Sequence, residues 1–338
     1  MSTPITEPAP TGTDHSPVPA GLPAETCILV NPRSFRISDG ARLDQVCRTA
    51  GRADTPVHIV HEPDEIAAAL QAHRDEPPRR LVVIGGDGTV QAALSALSNQ
   101  FADPLPPVLV LGGGRTNFTA RDLGTHRSLV GLLQRVLRNP QGLNTEQRRM
   151  LILEQPASRC RVQGFFIAGA LVDHVIRDCH RYRARHRGWL RTGHPSSAWR
   201  VAQLAALAAL GRSDFEPPVM RIDAGRLGVV EQPVRILIFS SLSHQRGWLD
   251  PYAARGSGAV RLTAIARSAP GFWRRLPGLL RGRLGPDQQA GNGYLSGRTD
   301  QVVVHGLPGV CVDGQEYPLR PDCEVLIRPG PTFRFLVP

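Results

Sequence analysis

The sequence contains no lysine: all 40 of its basic residues are arginine. That absence excludes several chemistries. There is no Walker A lysine, no protein-kinase strand lysine, and no amine for a Schiff base or a pyridoxal cofactor. A phosphate-handling site in this chain must rely on backbone N–H groups, arginine or a metal. Cysteine is sparse as well, with six scattered residues and no CxxC pair. Such spacing excludes zinc-finger frameworks and reads as buried thiols in a reducing cytoplasm. The eleven histidines likewise show no metal-ligand spacing and read as structural or exposed. Long apolar runs are missing too. The longest, Trp199 to Leu210, is broken by Arg200 and Gln203 and is too short to span a bilayer. Residues 1–24, rich in Pro, Thr and Ser, have no apolar h-region and read as a disordered tail rather than a signal peptide. The expectation is a cytoplasmic protein, at most peripheral to a membrane.

What is present is enough for a proper fold. An apolar fraction of 41% over 338 residues supports two domain cores, and the net charge of +11 calls for anionic partners such as nucleotides, acidic lipid head groups or nucleic acid. The most informative stretch is Leu81-Val-Val-Ile84, Gly85-Gly86-Asp87-Gly88-Thr89, then Val90, Ala93, Leu94 and Leu97 at helical spacing. It predicts a buried parallel strand, a turn almost without side chains, and a helix. Glycines let a ligand approach the backbone, and the helix start offers unpaired N–H groups and partial positive charge. This is the physics of a phosphate site. Asp87 is the odd member, since a carboxylate repels phosphates. Its reason is a Mg²⁺ to hold, a hydroxyl to deprotonate, or a turn to cap.

Around this stretch, strands at Thr26–Val30, Val57–Val60 and Pro107–Leu111 alternate with helices near Leu43–Ala50, Pro63–Leu70 and His126–Arg138. The alternation predicts a parallel α/β sheet over residues 25–148. Three loops, at 31–34, 85–89 and 112–117, leave strand C-termini, the edge where ligands bind in such sheets. Residues 149–338 change character. Short runs at 150–153, 164–167, 219–222, 234–239, 260–263, 301–304, 310–312, 324–327 and 333–337 predict a β-rich, sandwich-like second domain. Helical insertions are expected at about 173–187 and 196–211. A basic run from Arg177 to Arg191 reads first as a solvated face and second as a lipid-facing one; no nucleic-acid fold signature accompanies it. Trp273, Leu276, Leu280 and Leu284 form a stripe that either packs on the second domain or lies at a membrane interface.

Several strings together carry a resemblance: Asn31-Pro32 with Ser34, Gly85-Gly86-Asp87-Gly88-Thr89, Leu111 to Gly124 (LGGGRTNFTARDLG), Phe166 to Asp173, and Asp313-Gly314-Gln315. They resemble the diacylglycerol kinase catalytic-domain superfamily, which includes bacterial lipid kinases and sphingoid-base kinases. The resemblance implies an NAD kinase/diacylglycerol kinase-like α/β domain, a β-rich substrate domain, and a chain end that returns to the first domain. It implies an ATP- and Mg²⁺-dependent kinase acting on the hydroxyl of a diacylglycerol-like or sphingoid-like lipid at a membrane surface. A homodimer is compatible with it, and no specific nucleic acid is expected.

Nucleotide-binding residues on this reading are Asn31, Ser34, Gly85, Gly86, Asp87, Gly88, Thr89, Gly114, Arg115, Thr116 and Asn117. Asp87 is the metal candidate. Arg115, in place of the usual Thr, either clamps phosphate oxygens or is a solvated loop residue. Asp87 and Asp313 are the catalytic candidates. Gln315 stands where the family has Glu, and an amide cannot accept a proton near neutral pH. Glu316 substitutes if its strand is bulged. Gln315, with Arg115 and Phe118, also motivates a nucleotide- or lipid-binding pseudokinase. A relation to NAD kinases, which share the Gly-Gly-Asp-Gly-Thr string, is the minor reading.

Overall fold

In the computed structural model, which describes residues 25–126, 128–139, 142–185, 215–242 and 250–338, four strands rich in Val, Ile and Leu begin the fold. They are β1 (Cys27–Val30), β2 (Val57–Ile59), β3 (Leu81–Gly85) and β4 (Val108–Gly112). All pair in parallel, in the order β2-β1-β3-β4. Strands β1, β3 and β4 are buried along their whole length because helices cover both faces. The helices are α1 (Ala41–Gly51), α2 (Pro63–Gln71), α3 (Asp87–Gln100), the short α4 (Phe118–Asp122) and α5 (Leu129–Arg138). Alternate strand residues serve the two faces. Ile28, Val30, Val82 and Ile84 pack with Val46 of α1 and Leu133 of α5. Leu29, Leu81 and Val83 pack with Ile66 and Leu70 of α2 and Leu94 of α3.

The remainder is β-rich: β5 (Asn144–Gln155), β6 (Cys160–Gly164), β7 (Phe166–Gly169), α6 (Ala170–Arg185), β8 (Val219–Asp223), β9 (Val229–Ser240), β10 (Val260–Ala266), α7 (Phe272–Leu279), β11 (Tyr294–Thr299), β12 (Val302–His305), β13 (Gly309–Val312), β14 (Gln315–Pro318) and β15 (Val325–Val337). A second core gathers side chains from every strand between β5 and β13 and from β15. The expected fold class, a parallel α/β unit followed by a β-rich one, is the one observed. The two are joined by hydrogen bonds. β15 runs antiparallel to β5 from Leu326 to Val337, and its Phe335 registers in parallel with Val108 of β4. Phe333 and Phe335 thereby complete the first core.

Three differences from the sequence reading have physical causes. The runs at 324–327 and 333–337 are one strand, β15, whose register shifts between Pro329 and Thr332, where two prolines remove ladder donors. The run at 164–167 is divided between two strands: Gly164 ends β6, Phe165 is the break, and Phe166 and Ile167 begin β7. Strands β6, β11 and β14 carry Arg, Gln, Glu or Gly and lack an apolar run; their neighbours, not their own patterns, make them strands. The helix expected at 196–211 lies outside the described residues, as do residues 186–191 of the 177–191 run. Leu276 and Leu284 pack onto Ile265, Phe272 and Tyr294, so much of the 273–284 stripe belongs to the second domain's interior, while Trp273 stays 37% exposed. Among the described residues, no helix is long and apolar enough to cross a membrane.

Because Phe335 is fully buried and lies against the rings of Phe165 and Phe333, Phe335→Ala should lower unfolding free energy by about 3–5 kcal/mol. A shift in denaturant midpoint measures it; an unchanged midpoint would mean that β15 does not hold the first core.

Candidate functional site

The site begins where β1, β3 and β4 end. Their C-terminal loops lie side by side, and two of them are nearly bare backbone. The Gly113 N–H donates to the Gly85 carbonyl at 2.7 Å. A Cβ on Gly113 would lie 3.1 Å from the Gly85 Cα, and one on Gly114 would lie 2.7 Å from the Gly86 Cα. No side chain fits between these turns. The first loop is tied in by its polar groups. Asn31 donates from Nδ2 to Thr89 Oγ1 at 3.1 Å, and its Oδ1 accepts the Arg33 N–H at 2.9 Å. Arg36 donates to the carbonyls of Gly112 and His126 at 3.1 and 2.7 Å. Asn117 takes the left-handed conformation at φ 50° and clamps the third loop, accepting from the Gly114 N–H and donating to the Gly114 carbonyl, both at 2.7 Å.

These loops wall a cavity of roughly 830 Å³. Of the residues expected to hold nucleotide, Asn31, Ser34, Gly86, Gly88, Thr89, Gly114, Arg115 and Thr116 line it. Gly85, Asp87 and Asn117 do not; they shape the turns. Arg33, Phe35, Ser38 and, from the second domain, His180 and Gln315 complete the wall. The Arg115 guanidinium rests 4.7 Å over the Phe35 ring, which orients it as a cation–π pair. The Asp313–Gln315 turn closes over Gly88: a Cβ there would lie 3.3 Å from Gln315 Nε2 and 3.8 Å from the Asp313 carbonyl. Two contacts hold the domains in this relation. Buried Gln91 donates to the Gln163 carbonyl at 2.8 Å, and Phe118 stacks on Phe166 at 5.6 Å.

The carboxylates are occupied. Asp87 accepts the Thr119 N–H at 3.1 Å and the Thr116 hydroxyl at 3.0 Å, so it caps the first turn of α4. Burial pushes its pKa up, against the lowering effect of these donors. Asp313, in the left-handed conformation at φ 46°, accepts the N–H groups of Phe165 and Phe166 at 2.8 and 2.9 Å. Burial, reinforced by the charge of Asp87, raises its pKa to about 8. Glu316 turns elsewhere. β14 pairs with β13 without a bulge, so Gln315 and Glu316 face opposite ways. Gln315 Oε1 accepts the Tyr317 hydroxyl at 2.8 Å, while Glu316 pairs with Arg177 and His180 of α6 at 3.2 and 2.9 Å. The condition on which Glu316 would serve as the base is therefore not met.

The lining suits a nucleotide: crowded glycine turns that bring N–H groups to a ligand, two arginines, hydroxyls and amides. It does not suit a metal held by the protein. Among the described residues no carboxylate lines the cavity, and Asp87 is engaged at α4.

A model of the diacylglycerol kinase catalytic domain matches residues 25–143, which carry all three loops. Over these residues the chain is similar to the diacylglycerol kinase catalytic-domain superfamily. Its fold is similar to solved structures of that type. A proposed diacylglycerol kinase from Bacillus anthracis str. Sterne superposes with a TM-score of 0.63 at 13% identity, covering 93% of this chain and 97% of that one. A further structure, of a diacylglycerol kinase from the same strain, has a TM-score of 0.57 at the same identity and coverage. At this distance the likeness speaks for the fold. No curated protein matches the sequence.

Within this fold, sequence reasoning missed Arg33, Phe35, Ser38 and His180 as wall residues. Arg33 and Phe35 sit inside the Asn31–Ser34 string or next to it and were within reach of a reading by loop. His180 lies in another domain, and no local pattern reveals it.

Two outcomes are expected. Gly114→Ala should separate the glycine turns and weaken ATP binding about tenfold or more, with the fold retained, as read by calorimetry and circular dichroism. Unchanged ATP affinity would show that the turns do not touch the ligand. Asp313 has a folded pKa near 8, above the ordinary 3.8. The native state therefore binds the extra proton between these values. The stabilisation from this proton is complete below about pH 4 and lost as pH rises through about 8. Denaturant midpoints of Asp313→Asn should lack that decline relative to wild type; parallel curves over this range would show that Asp313 does not titrate there.

Proposed function

We propose that the protein is an ATP-dependent lipid kinase that phosphorylates a diacylglycerol-like or sphingoid-like hydroxyl. The observation that carries this reading is the pair of mutually packed glycine turns opening into a cavity that a turn of the second domain closes over Gly88. Backbone N–H groups of Gly86 and Gly88 meet the phosphates, and Arg115 supplies positive charge without a lysine. Positioning and charge stabilisation provide most of the catalysis in phosphoryl transfer. The lipid oxygen bonds to the γ-phosphorus as the bond to ADP breaks, and the hydroxyl proton leaves. Gln315 orients the hydroxyl. Among the described residues no carboxylate lines the cavity, so that proton passes to solvent water, while buried Asp313, held by the Phe165 and Phe166 N–H groups, positions the Gln315 turn. The lipid approaches from a membrane surface, with the protein bound peripherally from the cytoplasm.

One observation favours a second reading, a nucleotide-binding pseudokinase: among the described residues, the cavity wall holds Gln315 and no carboxylate. ATP-dependent labelling of a mixed-lipid micelle panel separates the two. A labelled lipid is expected, with turnover raised about tenfold or more by Gln315→Glu. ATP binding without labelling in either protein supports the pseudokinase, and absence of ATP binding removes both readings.

A further inference from the structure

At the opposite end of β1 from the nucleotide cavity, three side chains widely separated in sequence converge. Cys27 is the first residue of β1. His58 of β2 registers in parallel with Leu29, so Cys27, Leu29 and His58 share one face of the sheet. α2 covers that face, and the turn that ends it, with the His73 N–H donating to the Leu70 carbonyl at 3.0 Å, brings His73 over the two strands. The Nε2 atoms of His58 and His73 are 3.2 Å apart, with the rings perpendicular. The two imidazole nitrogens and the Cys27 sulfur all lie within 4.8 Å of one another.

We propose that Cys27, His58 and His73 form a binding site for a divalent transition metal of the zinc class. The geometry supports the donor set. Metal–nitrogen bonds of about 2.0–2.1 Å at a tetrahedral angle place two nitrogens about 3.3 Å apart, close to the spacing already present. A metal–sulfur bond of about 2.3 Å requires a sulfur–nitrogen distance of about 3.6 Å, so the sulfur moves inward by about 1 Å at most. One thiolate and two imidazoles select zinc or cobalt over magnesium and calcium, which take oxygen ligands. Burial disfavours the charged form of both imidazoles, leaving them neutral. Of the two Nε2 atoms that now share a proton, one must pass it to its own Nδ1 before both can donate lone pairs. Burial also pushes the Cys27 thiol up to about 12, so the metal displaces this proton to solvent on binding. Cys27 is buried while the histidines are half-buried. The fourth position therefore faces solvent and takes water.

The site lies outside the proposed kinase chemistry. Cys27 and Asn31 sit four residues apart on an extended strand, about 13 Å. The metal would instead clip β1, β2 and the end of α2 together, at a corner of the sheet that has β2 as its edge strand. Binding to the folded state alone raises stability by mass action.

The test uses the full chain after dialysis against a chelator. Cobalt(II) titration should show one equivalent bound, with tetrahedral visible bands and a thiolate-to-metal charge-transfer band. Zinc should raise the melting temperature, and an equal concentration of magnesium should not. Cys27→Ser should abolish the charge-transfer band. His73→Gln, at a half-buried turn position, should weaken metal affinity beyond the roughly 10–100-fold that loss of an outer partner costs while leaving ATP affinity unchanged. A cobalt spectrum without the thiolate band in the wild-type chain overturns the proposal. So does a zinc-induced shift that persists in both variants.

Discussion

Two glycine turns packed backbone against backbone are the constraint on which this site depends. Gly85–Gly86 follows β3 and Gly113–Gly114 follows β4, and the strands pair in parallel up to Gly85 and Gly112. Side chains there would push the loops apart, since the space a Cβ needs is already filled by main chain. The result is a concave wall of nearly bare main chain at the edge where the parallel strands end. Asp87 serves the same arrangement. Its carboxylate reaches from the Gly85–Gly86 turn to the start of α4 and fixes the third loop relative to the second. A residue that looks chemical in a linear motif is here first a cap.

The second domain contributes closure rather than a wall of its own. Asp313 spends both carboxylate oxygens on the N–H groups of Phe165 and Phe166, at the break between β6 and β7. That pins the Asp313–Gln315 turn over Gly88. β15 completes the connection, because one strand serves both cores: its first part packs with the second domain, and Phe333 and Phe335 pack with the first. The cost of such closure is an acid held in a dry environment beside another acid. This is why Asp313 titrates near 8 instead of near 4.

Much of the architecture was legible in the chain. Leu81–Ile84 and Val108–Leu111 are apolar without a break, and only strands covered on both faces have that pattern. The Gly-rich loops were legible because glycine has few other reasons to recur after a strand. β14 was not, since Gln315-Glu-Tyr-Pro318 has no apolar alternation and becomes a strand only by pairing with β13. Nor was the direction of Glu316: adjacent residues on a strand diverge, and only the unbulged register shows that Glu316 goes to α6.

By itself, the sequence determined the parallel sheet, the three loops at its edge, and the exclusion of lysine chemistry. These depend on local composition and period, which are properties of neighbours along the chain. The tertiary structure alone decided that Asp87 caps a helix, that His180 and Gln315 face the cavity, that β15 closes both cores, and that Cys27, His58 and His73 meet. Each of these is a contact across tens to hundreds of residues, set by how sheets and helices pack. No local pattern encodes it.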